Sequence, residues 1–218
     1  MRLKYGRNEI TRLALLLAGI GGCLVSAAAS AAPAVHGYVM NVQLVPAVCS
    51  LDPQKHKKRK CLEGYSLNIT GLYPETGQQD CLSSSSAKLP PIQAKVVARV
   101  MPDESARNAL WHEIGACVPM NASQYFRTII NYAEKLKIPE ELTSQETGQM
   151  QAAALRSKML RLNPGLPAPG VQFSCQPSYA GSILTDLKIC YRSDGKYKQC
   201  SNNVLSSCPP SFIIKGSF

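Results

Sequence analysis

Eight cysteines follow the first thirty-odd residues: Cys49, Cys61, Cys81, Cys117, Cys175, Cys190, Cys200 and Cys208. No other feature restricts the fold so strongly. An even set of cysteines in an exported chain is read as a disulfide framework, here of four bridges. Eight cysteines allow 105 pairings, and spacing alone does not choose among them. A zinc site is not expected, because the chain has no CxxC and only His36, His56 and His112 as nitrogen donors. No metal or other cofactor is expected.

Export is expected from the N-terminus. Arg2, Lys4, Arg7 and Arg12 make a positive segment, Leu13 to Ile20 is apolar, and Ala29-Ser30-Ala31 fits the small-residue rule for cleavage. The apolar run is too short to be a convincing spanning helix. Residues 1–31 are therefore read as a signal peptide, with one domain over residues 32–218 and a periplasmic or secreted location. A competing reading takes Ile20-Gly21-Gly22-Cys23 as a bacterial lipobox, with Cys23 lipidated and the chain anchored to a membrane. The small, apolar stretch from Leu24 to Ala32 suits ordinary cleavage better.

The formal charge is +10. Without the leader, 20 basic and 13 acidic side chains leave about +7. A basic exported protein meets polyanions such as nucleic acid, lipopolysaccharide or an anionic membrane face, although charge also serves solubility. The densest positive stretch is Lys55, Lys57, Lys58, Arg59 and Lys60, with His56 among them. It can grip phosphates through counterion release, or be a solvated loop.

Periodicity predicts strands at both ends and helices between them, an α+β chain with a central antiparallel sheet. Val35 to Cys49 alternates as a half-buried strand that Pro46 should end. Tyr65 to Leu72 is a second strand, and Gln78 to Ser86 a loop. Helices are expected over Ile92–Met101 and Ser105–Cys117, and from a cap at Asn121 or Ser123 to Lys137. Thr143-Ser144-Gln145-Glu146 reads as a capping box opening a fourth helix that runs to Leu162. Val171–Cys175, Ile183–Tyr191, Tyr197–Cys200 and Phe212–Lys215 read as strands, with Ser193-Asp194-Gly195 a hairpin turn.

Several segments, in order, resemble the ribonuclease T2 family of exported acid ribonucleases. Asn41-Val42-Gln43-Leu44-Val45-Pro46-Ala47-Val48-Cys49 is similar to the opening strand of that family, usually L-x-x-Q-W-P-x-x-F-C. Asn68-Ile69-Thr70-Gly71-Leu72-Tyr73-Pro74 resembles the first active-site segment, usually I-H-G-L-W-P. Leu110-Trp111-His112-Glu113-Ile114-Gly115-Ala116-Cys117 resembles the second, usually E-W-x-K-H-G-T-C. Tyr125-Phe126, the stretch from Pro169 to Cys175 and Cys208-Pro209 follow in family order. The resemblance covers about Val39 to Phe218 and implies the pairing Cys49–Cys61, Cys81–Cys117, Cys175–Cys208 and Cys190–Cys200.

It also implies a chemistry. Such enzymes turn the ribose 2′-hydroxyl on its own phosphate to give a 2′,3′-cyclic phosphate. One histidine takes the 2′ proton and another protonates the leaving 5′ oxygen. Aligned without gaps, the first histidine position holds Thr70 and the second Ile114. The lysine position holds Glu113 and the glutamate position Leu110. No proton carrier of the family remains in place. On a helix His112 lies about 200° from Ile114 and points elsewhere. The chain is therefore expected to be a non-catalytic binder of RNA or of a protein partner. The alternatives are an active endoribonuclease with a shifted group such as His112, and a surface-held interaction protein.

Overall fold

The computed structural model describes residues 34–54, 57 and 59–217. Residues 1–33, which include the expected leader and Cys23, lie outside the described residues, as do Lys55, His56, Lys58 and Phe218, and the side chain of Arg59 is likewise not described.

Alternation sets the first strand. β1 (Gly37–Leu44) turns Tyr38, Met40, Val42 and Leu44 into the core, leaving Asn41 and Gln43 on its other face. Pro46 ends β1 as expected, but the chain then turns directly into a helix. α1 (Val45–Leu51) takes proline in its first turn, where the missing N–H costs nothing. A short helix, α2 (Arg59–Leu62), precedes β2 (Leu67–Glu75). Next come α3 (Pro91–Val97) and α4 (Glu104–Ile114), the latter capped by the Asp103 carboxylate, which accepts from the Ser105 and Ala106 amides.

α5 (Ala122–Lys135) begins at Asn121, whose side chain and that of Gln124 form a reciprocal capping box. Its inward stripe of Tyr125, Phe126, Ile129 and Tyr132 is buried against the sheet. The remaining elements are β3 (Gly148–Gln151), α6 (Ala152–Leu162), β4 (Val171–Ser178), β5 (Gly181–Arg192) and β6 (Ser211–Ile214).

The six strands form one sheet in the order β2-β1-β5-β6-β3, with β4 also paired to β5. All pairings are antiparallel except β5 with β6, a parallel contact at Ile183 and Ile213. The β1–β5 register sets Tyr38 on Tyr191, Met40 on Ile189 and Val42 on Leu187, so one face of the sheet carries the core. The fold class is α+β. Four disulfides join Cys49–Cys61, Cys81–Cys117, Cys175–Cys208 and Cys190–Cys200, the pairing the resemblance implies.

Two expectations are corrected. No helix opens at Thr143. Ser144 closes a local turn by accepting from the Glu146 amide, and Gly148–Gln151 pairs with Ser211–Ile214, so α6 starts at Ala152. Tyr197–Cys200 is not a strand. It keeps one isolated bridge, Tyr191 to Tyr197, because the Tyr197 hydroxyl is drawn to Asn163 and the Cys200 amide to the Pro169 carbonyl.

Candidate functional site

β2 is the edge strand, and the register between β1 and β2 slips at Asn41/Val42. Asn41 faces Gly71 and Val42 faces Ile69, which leaves Thr70 as the extra residue of a bulge. A bulge re-aims the side chain it carries. The half-buried Thr70 hydroxyl accepts a 2.7 Å hydrogen bond from Asn41 Nδ2. The same amide nitrogen donates to Asp186 Oδ1 on β5 at 3.3 Å. Asn41 Oδ1 is buried and has no partner among the described residues.

α4 lies against this strand. A Cβ on Gly71 would stand 2.7 Å from the Tyr73 ring and 3.0 Å from Leu110 Cδ1, so glycine is what permits the close approach. Leu110, Trp111 and Ile114 are buried on the inner face of α4, while His112 and Glu113 are exposed on the outer one. The end of α4 is tied to the serine loop by Cys81–Cys117, by Ser83 N–H to the His112 carbonyl and by Trp111 Nε1 to Ser85 Oγ at 3.0 Å.

Leu110 thus meets β2 beside Gly71, the neighbour of Thr70, while Ile114 is buried one turn further along α4 and Glu113 is exposed beside it. None of Thr70, Leu110 and Ile114 can carry a proton near neutral pH. The Tyr73 phenol is raised above its ordinary pKa, by burial first and then by the negative charges of Glu113 and Asp186. A cleft of about 710 Å³ opens beside Asn41 and Tyr73 and continues past Glu75, Lys188, Lys198 and Ser201. The exposed His36 lines its far end. Within it Glu75 pairs with Lys198 and accepts from Ser201 Oγ at 2.6 Å.

The described part of the basic stretch sits nearby. Lys57 is exposed, and Lys60 Nζ donates to Gln43 Oε1 on β1 at 2.6 Å. Both line a groove of about 860 Å³ together with Tyr65, Lys95 and Arg107, opposite Asp103 and Glu104. Sequence reasoning did not single out Asp186 or Lys95. Asp186 joins the site only through the β1–β5 pairing, 145 residues from Asn41, and Lys95 only through the packing of α3. Among the described residues no group of His, Cys, Asp or Glu could hold a metal ion, and no helix is long and apolar enough to cross a membrane.

No protein-family model and no curated protein matches the chain. Solved structures do match. Ribonuclease MC1 from bitter gourd seeds superposes with a TM-score of 0.62 at 16% identity, over 81% of this chain and 98% of that one. The self-incompatibility-associated SF11-RNase of Nicotiana alata gives 0.64 at 11% identity, over 84% and 100%. The S3-RNase of Japanese pear gives 0.61 at 15% identity, over 81% and 98%. Identities so low speak for architecture alone, and on that architecture the chain has a ribonuclease T2-like fold.

Proposed function

We propose that this protein is an exported ribonuclease T2-like protein that no longer cleaves RNA and acts by binding. One observation carries the reading. Where the resemblance calls for two proton carriers, the chain has Thr70, whose hydroxyl accepts from Asn41, and Ile114, only 4% exposed in the core. Neither exchanges a proton usefully, and Glu113 brings negative charge where an anionic phosphate would sit. Each missing acid or base costs about 10²–10⁴-fold in rate, though such losses do not add within one mechanism.

RNA is the favoured ligand over a protein partner. The groove of Lys57, Lys60 and Lys95 supports this, since it offers positive charge beside the ring of Tyr65. Export through residues 1–31 is supported by the four disulfides, which persist in oxidising compartments. The mass of the mature N-terminus separates cleavage after Ala31 from lipidation at Cys23.

The test is single-stranded RNA incubated with the oxidised protein from pH 4 to 8, beside Thr70→His/Ile114→His with Glu113→Lys added. The expected result is retention of RNA without cleavage by the wild type and new cleavage by the variant. Wild-type cleavage that disappears in His112→Ala would overturn the reading and make His112 the working group.

A further inference from the structure

A second cavity, of about 390 Å³, lies away from the β2–α4 junction, where the end of α5, the loop after α6 and the turn after β5 meet. Its walls are three tyrosines. The Tyr132 and Tyr191 rings stack with centroids 4.4 Å apart, and Tyr197 follows at 5.2 Å from Tyr191. Gly195, at φ +82, closes the turn so tightly that a Cβ there would come within 3.2 Å of the Tyr132 ring. Lys135 and Lys196 stand exposed at the rim, and neither pairs with a described carboxylate. The nearby acid, Asp194, is already paired with Arg192 at 3.3 Å.

One polar group in this wall is unsatisfied. Tyr191 is 3% exposed, and its buried hydroxyl makes no hydrogen bond of ordinary geometry among the described residues, although the Tyr197 hydroxyl stands close enough to influence its ionisation. The hydroxyl of its neighbour Tyr197 is spent on Asn163 Oδ1 at 3.1 Å. A buried hydroxyl left unpaired is costly, and such groups call for an explanation. Burial, the largest cause in each case, raises all three phenols, that of Tyr132 to about 12, so they remain protonated donors at neutral pH.

We propose that this cavity binds a nucleotide unit, a flat heterocycle carrying a phosphate. The half-buried Tyr197 ring, the least buried of the three, offers a face to stack on, backed by the stacked pair of Tyr191 and Tyr132. The Tyr191 hydroxyl needs a heteroatom at a ring edge, which a purely hydrocarbon ring lacks. The two lysines suit a phosphate as mobile point charges. The volume falls in the range of small-molecule sites. The proposal does not depend on whether the Thr70 cleft cleaves RNA.

Calorimetric titration of the oxidised protein tests it, with 5′-AMP, adenosine and ribose 5-phosphate as probes. The expected result is one AMP per chain, with adenosine and ribose 5-phosphate each weaker by about tenfold or more. Lys135→Glu/Lys196→Glu, both exposed positions, should cost AMP a similar factor and leave adenosine unchanged. Tyr191→Phe should raise the melting temperature without ligand and weaken AMP binding. A 5′-phosphorylated hexaribonucleotide that binds as well as AMP identifies an RNA end as the source, and one that binds far worse identifies the free nucleotide. Absence of AMP binding at millimolar concentration overturns the proposal. So does binding indifferent to the lysine reversals but lost in Asn41→Ala, or a Tyr191→Phe variant that melts lower and binds AMP unchanged.

Discussion

The β2 strand that carries Thr70 is held from behind by one phenol. Tyr125 is fully buried, and its hydroxyl both accepts from the Leu72 amide at 3.0 Å and donates to the Leu72 carbonyl at 3.1 Å. Leu72 is itself fully buried on the edge strand, so its outward backbone groups have the phenol in place of a further strand. Tyr125→Phe keeps the ring and its contacts with Trp111 and Phe126 but strands two backbone groups at once. An unsatisfied buried group costs about 1–3 kcal/mol, and removing the phenol's own desolvation returns part of it, so the net loss should be roughly 2–4 kcal/mol. For a chain of this size that lowers the melting temperature by roughly 5–15 °C. Burial pushes the Tyr125 phenol far above its ordinary value, so the loss should be the same at pH 6 and pH 9. Urea denaturation with disulfides intact measures it, with an unchanged slope as the sign of an intact fold. A loss below about 0.5 kcal/mol would mean that Leu72 finds other partners, and the argument would fail.

Two further outcomes follow from ionisation. Burial, the largest influence on Glu75, raises its pKa, but the hydrogen bonds from Lys198 and Ser201 together outweigh it and leave the pKa below the ordinary 4.5. The unfolded chain then binds the proton more readily, so this contribution is complete above about pH 4.5 and fades as pH falls through the lower folded value. Glu75→Gln should flatten the acid limb of a stability–pH profile, and an unchanged limb would refute the assignment. Ile114→His carries its own penalty, because it puts an imidazole where a 4%-exposed isoleucine packs. Lost packing and the buried polar ring should cost roughly 2–4 kcal/mol. Burial lowers an imidazole's folded pKa, so the deficit should grow as pH falls below the unfolded value of about 6.5. Melting curves from pH 5 to 8 check this, and a deficit that shrinks towards pH 5 would place position 114 at the surface.

What was legible in the chain was local. Tyr125, Ile129 and Tyr132 recur at helical spacing behind Asn121, and α5 forms there because cap, period and burial agree. β3 was not legible, since Gly148–Gln151 is extended only through its pairing with the distant Ser211–Ile214. The capping-box pattern at Thr143 misleads because Thr143 Oγ1 instead donates back to the Glu140 carbonyl, and the Glu146 amide is taken by Ser144 in a turn. The site divides in the same way. Thr70 and Ile114 were placed by their neighbours in sequence. The negative charge beside Tyr73 needed Asp186, which only the pairing of β1 with β5 brings to Asn41.

The residues that hold this junction together are not those to which the resemblance assigns chemistry. Gly71 admits α4, Tyr125 satisfies Leu72, Cys81–Cys117 pins the helix end, and Trp111 anchors the serine loop. None of them needs to transfer a proton. At the assigned positions, Leu110 and Ile114 are each 4% exposed and bury apolar surface, which stabilises by roughly 1.5–3 kcal/mol per side chain. A histidine or glutamate there would have to remain partly solvated, or be desolvated at a cost. Apolar side chains are therefore what burial at these two positions favours. The fold therefore stands on contacts that are independent of proton transfer, and architecture alone does not decide activity here.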